Sequence, residues 1–165
     1  MAVSVRRRGG TAVVATTVRT DARRLVRLLG EGDAELTVSL VDDDAIRALN
    51  RDYRQADRPT DVLAFAMREG ERVTGDEPVL GDVVISLDTA ARQAHRRGVP
   101  LARELRTLLV HGVLHLLGYD HERSPAEARR MRAEERRLAA ALAAADGARL
   151  APAPRRRENT VREDS

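Results

Sequence analysis

Apolar residues along this chain switch between the short β-branched runs of strands and the three-to-four spacing of helices, and those switches divide it into elements. Thr11–Val18 and Glu35–Val41 are β-branched and apolar, which predicts two strands. Between them Thr20–Leu29 carries Leu25, Leu28 and Leu29 on one helical face, so the chain is expected to open as strand, helix, strand. Asp42 can cap a second helix, along which Ile46, Leu49 and Tyr53 recur at helical spacing, and Pro59 ends it. Pro59–Met67 returns to extended structure, Gly70–Pro78 reads as a loop, and Val79–Leu87 makes a strand interrupted by Gly81 and Asp82.

The second half is helical. Asp88 is placed to cap a helix through Arg97, which Gly98 stops, and Pro100 suits the first turn of a longer helix from Leu101 to about Leu117. Leu101, Leu105, Leu108, Leu109 and Leu116 form its apolar side. Ser124, Pro125 and Glu127 have the pattern of a capping box and start a last helix that carries Met131, Leu138 and Leu142 inward. Arg129, Arg130, Arg132, Arg136 and Arg137 interleave with Glu127, Glu134 and Glu135 on its other faces, the pattern of a solvated surface. Residues 1–150 are expected to form a single domain, and residues 151–165, which include two prolines and Arg155–Arg157, a disordered tail.

Composition narrows the chemistry. The 165 residues include no cysteine, which excludes disulfides and thiolate metal sites and leaves nitrogen or oxygen as the only metal donors. Every one of the 29 basic residues is arginine, yet 26 acidic residues reduce the formal net charge to +3, so charge placement matters more than its total. The one segment with a likeness to an export signal, Arg6–Val18, has a short apolar part broken by threonines, and no run approaches membrane-spanning length. A cytoplasmic location is expected.

Three of the four histidines fall within eleven residues, as HGVLHLLGYDH from His111 to His121. Residues four apart on a helix project from one face about 6 Å apart along its axis, so His111 and His115 can reach one ion. Gly118 can take the left-handed conformation that ends the helix and lets the chain bring His121 back toward the same point. Three imidazoles leave a coordination position open, which is the mark of catalytic rather than structural zinc. His95, near the end of an arginine-flanked helix, is explained by the helix dipole instead. The spacing is similar to the zinc helix of the metzincin proteases, except that Gly112 stands where those proteases carry the glutamate that takes a proton from metal-bound water. Asp120 is placed either to orient an imidazole or to stabilise the turn.

By composition alone, Arg54, Asp57, Arg58 and Asp61 in RQADRPTDVLAF are solvated loop charges. Taken with LGDVVIS at 80–86 and the histidine motif, however, that stretch resembles the YbeY family of bacterial endoribonucleases, over roughly Leu36–Leu142. Ala64 and Ala66 depart from the family pattern, in which serine and proline are expected. The resemblance implies an α+β fold: a small mixed sheet of about four strands packed with helices, with a zincin-like metal site on a central helix and the following turn, at the floor of a cleft lined by arginines. It implies one zinc ion on His111, His115 and His121, and Arg54 and His115 as catalytic residues. It also implies single-strand-directed cleavage in the maturation of the 3′ end of 16S rRNA and in ribosome quality control, with ribosomal subunit or assembly proteins as partners. Two other classes fit parts of the pattern, a ribosome-assembly factor whose zinc stabilises an RNA-binding cleft and a metallopeptidase.

Overall fold

The computed structural model describes residues 2–9, 11–67 and 79–150, so the expected loop Gly70–Pro78 and the expected tail 151–165 lie outside the described residues. Nine elements follow one another: β1 (Ala2–Arg7), α1 (Ala12–Leu28), β2 (Glu35–Val41), α2 (Asp43–Arg54), β3 (Val62–Ala66), β4 (Val79–Ser86), α3 (Leu87–Arg97), α4 (Leu101–Leu116) and α5 (Pro125–Leu150). The strands make one mixed sheet in the order β1-β2-β4-β3, with β1, β2 and β4 parallel and β3 antiparallel at an edge. The α+β class and the four-stranded mixed sheet are as expected.

One strand is not the expected one. Thr11–Val18 opens helix α1 and the first strand is β1, upstream of it. Burial overrides β-propensity here. Ala15, Val18, Ala22 and Leu25 recur at three and four residues and are all buried, and the threonines that suggested a strand are satisfied within the helix. Thr16, Thr17 and Thr20 donate to the carbonyls four residues back at 2.9–3.0 Å, and Thr11 caps the N-terminus by accepting from Val14 N. Leu28, expected on the inner face, is 42% exposed. Gly81 does not break β4: the strand runs through it, with a register irregularity where it leaves Val79.

The capping of the helices at the middle of the chain also differs in detail. Ser86 rather than Asp88 caps α3, its Oγ accepting from Thr89 N at 3.2 Å. Asp88 instead accepts from Asp43 N at the start of α2, while Asp43 accepts from Ser86, Thr89 and Arg92, so the two N-termini hold each other in place.

The sheet separates two apolar layers. On one face Leu36, Val38 and Leu40 of β2 and Val83 and Ile85 of β4 pack with Leu25 of α1, Leu105 and Leu109 of α4 and Met131, Leu138 and Leu142 of α5. On the other, Ile46 of α2 meets Val41, Leu63 and Val84 in a smaller cluster. Helix α4 therefore lies across β3 and β4 on the larger side, and α2 across the same strands on the smaller. That sandwiching brings the C-terminal ends of α2 and α4 to the edge strand.

Candidate metal centre

Gly112 fixes how closely α4 approaches the sheet. A β-carbon at that position would stand 2.8 Å from Cγ1 of Val83 and 3.2 Å from Cγ2 of Val62, so no side chain fits between helix and strands. With residue 112 pressed on the sheet, His111 and His115 emerge on the flank of the helix facing β3.

The helix then ends as its sequence demands. Gly118 has a φ of +94°, Gly118 N donates to His115 O and Tyr119 N to Leu114 O, and the Tyr119 ring packs on the apolar core. Asp120 secures the next turn, accepting from Glu122 N at 2.9 Å and pairing with Arg123 at 3.5 Å. Of its two expected roles, the turn is the one its contacts support. His121 swings back as a result, and one ring nitrogen from each of His111, His115 and His121 lies within 4.8 Å of the others. His111 and His115 meet through their Nε2 atoms at 3.2 Å, so both present the same nitrogen to the common point. His95 is in the last turn of α3, exposed and apart from this cluster.

Burial, and after it the neighbouring His111 and His121, hold His115 below its ordinary value of 6.5, with Asp120 opposing and Arg54 adding to the effect. At neutral pH His115 is therefore uncharged and its lone pair is free for a cation. Three imidazoles with no thiolate make a donor set that suits a divalent metal ion.

Arg54 reaches the same place from the opposite face of the sheet. It is the last residue of α2, which Gln55 ends in the left-handed region at φ 58°, an uncommon conformation for a residue with a side chain. The loop beyond is pinned: buried Asn50 donates to Arg58 O at 2.9 Å, and Asp61 O accepts from Ser86 N at 2.9 Å. A cleft of about 390 Å³ brings together Arg54, Asp61, Ala64 and Ala66 with the three histidines. The expected lining of arginines is not found there: among the described residues Arg54 is its one arginine, and Asp61, Asp120 and Glu122 are its acidic members. The loop charges divide accordingly. Asp57 pairs with Arg47 at the surface and Arg58 is exposed, but half-buried Asp61 lines the cleft, held by Val62 N and Gln93 Nε2.

A family model described as Endoribonuclease YbeY matches residues 11–143 of the sequence. The chain belongs to that family. The match is wider than the span its motifs mark out, and leaves β1 outside. The Endoribonuclease YbeY of Geobacter metallireducens is 52% identical over 126 residues, which is 76% of this chain and 84% of that protein. That of Halorhodospira halophila is 46% identical over 139 residues, 84% of this chain and 89% of the other. The solution structure of TM1509 from Thermotoga maritima matches with a TM-score of 0.63 at 25% sequence identity, covering 94% of this chain and 99% of that one.

One partner of the site was not apparent from sequence. Glu135 of α5, grouped above with the solvated charges, places Oε1 3.3 Å from Nδ1 of His111. The signal was its spacing: Glu135 lies four residues after Met131 and three before Leu138, both fully buried.

Proposed function

We propose that this YbeY-family chain is a zinc-dependent endoribonuclease directed at single-stranded ribosomal RNA in the cytosol. Within that activity we place the 3′ end of 16S rRNA and ribosome quality control, with ribosomal subunit or assembly proteins as partners and residues 1–150 as the catalytic unit. The observation that carries the reading is the convergence of three imidazoles in a cleft that also holds Arg54. His111, His115 and His121 would hold the zinc ion. Bound there, zinc supplies a Lewis acid or a water of lowered pKa. The forked, permanently charged guanidinium of Arg54 grips the scissile phosphate and offsets the charge it gains as the bond breaks.

Gly112 argues against the peptidase class: the glutamate base of the metzincin helix has no room at 112, where even a methyl group would meet Val83.

The test uses protein purified without affinity histidines, loaded with zinc and given single-stranded and duplex forms of one ribosomal RNA fragment, with an unstructured peptide alongside. The reading predicts cleavage of the single strand alone. Arg54→Ala should cut about 10²–10³-fold more slowly while keeping its zinc, the loss typical of removing one transition-state donor. RNA bound but left intact would favour the assembly factor, and a cut peptide the metallopeptidase.

A further inference from the structure

Met131, Glu135, Leu138 and Leu142 fall on one face of α5, and its three apolar members are completely buried. A carboxylate in that row is costly unless something compensates it. Among the described residues the one hydrogen-bond partner of Glu135 is His111, at 3.3 Å, with the two side chains 27% and 29% exposed. The neighbouring glutamate behaves differently: Glu134 pairs along its own helix with Arg137.

We infer that Glu135 is a positioning residue, which holds the His111 ring in the orientation and tautomer that turn its Nε2 toward the other two imidazoles. A carboxylate oxygen is an acceptor, so this contact favours the tautomer with the proton on Nδ1 of His111. A neutral imidazole protonated at Nδ1 carries its lone pair on Nε2. That nitrogen stands 3.2 Å from Nε2 of His115, on the side of the ring away from α5. Without Glu135 the ring keeps neither a fixed rotation nor a fixed tautomer, and part of the population offers the metal a protonated nitrogen. The carboxylate also increases electron density on the ring and so strengthens it as a ligand. Because α5 is locked to α4 through Met131 and Leu138, the acceptor is in place before any metal arrives.

This inference rests on the proposal that the three histidines bind zinc, and the experiment separates the two. Zinc affinity is measured by competition with a chromogenic chelator at one fixed pH for wild type, Glu135→Ala, Glu135→Gln and, as control, Glu134→Gln. Thermal unfolding and histidine nitrogen NMR of the metal-free proteins run in parallel. Glu135→Ala should weaken zinc binding by about 10–100-fold, the usual cost of losing such a partner, and should mix the His111 tautomers. Glu135→Gln, whose amide oxygen still accepts from Nδ1, should hold the tautomer and lose less affinity. The control should bind as wild type does. Affinity for zinc in Glu135→Ala within twofold of wild type overturns the inference, as does a His111 tautomer that does not change. Wild type that binds no zinc overturns the metal reading, while the NMR comparison still decides whether Glu135 sets the tautomer.

Discussion

Helix α4 carries polar clusters toward both of its ends, and they are built on opposite principles. Near its start, Arg106 makes two bonds of 3.0 Å to Asp21 of α1 and a third to Asp146 of α5, and Arg24 completes the group at 2.8 Å from Asp146. Two arginines and two aspartates cancel, each aspartate accepts from at least one guanidinium, and Asp21 is nearly sealed from solvent. Toward its other end, three imidazoles each turn a ring nitrogen toward one point. Charges that satisfy each other hold three helices together; ring nitrogens that converge on one point could hold a cation from outside. A buried polar group with all its partners in the fold thus serves stability, and converging donors without acceptors mark where the chain meets something else.

The largest expected effects are the ones that separate the two ends. His115→Ala should lose zinc by more than the about 100-fold expected for an outer partner, with little change in metal-free stability, read by metal analysis and urea unfolding. Arg106→Ala should do the reverse, lowering stability by about 3 kcal/mol because Asp21 is left buried and unpaired, while zinc affinity holds. A variant that moved both quantities equally would show that the ends are not independent. Gly112→Ala should couple them, costing about 1–3 kcal/mol by overpacking against Val83 and weakening zinc binding as the helix shifts.

The smallest effect is in pH. His115 titrates below 6.5 in the folded metal-free chain, so the unfolded chain takes up the proton first and stability declines as pH falls from 6.5 through the lower folded value. Asp146, held below its ordinary 3.8 chiefly by the hydrogen bond from Arg106, contributes stability that is present above 3.8 and lost as pH falls through its folded value. Urea midpoints should fall as pH drops below 6.5 and continue to fall below 3.8, the decline that begins at 6.5 being abolished in His115→Ala.

Much of the histidine end was legible because its elements are local. Four-residue spacing on a helix, a glycine able to reverse the chain and a third histidine three residues on are consecutive in sequence, and so are the cues for β2, α4 and the start of α5. What sequence concealed depends on contacts between distant segments. Thr11–Val18 has the composition of a strand, and only the packing of α1 on β1, α4 and α5, which buries Val18, makes it a helix. Asp88 has the look of a cap for its own helix, yet accepts from Asp43, 45 residues away. Glu135 was hidden among charges for the same reason: its role depends on His111, 24 residues distant. The resemblance implied a cleft lined by arginines, and among the described residues only Arg54 reaches it, because which side chains line a cleft depends on how distant elements pack.

The most direct test is X-ray absorption at the zinc edge on the zinc-loaded chain, purified without affinity histidines. The account predicts one zinc per chain with three imidazole nitrogens at about 2.0–2.1 Å and a remaining position filled by an oxygen donor. Fewer than three imidazoles around the ion, or a chain that retains no zinc, would contradict it.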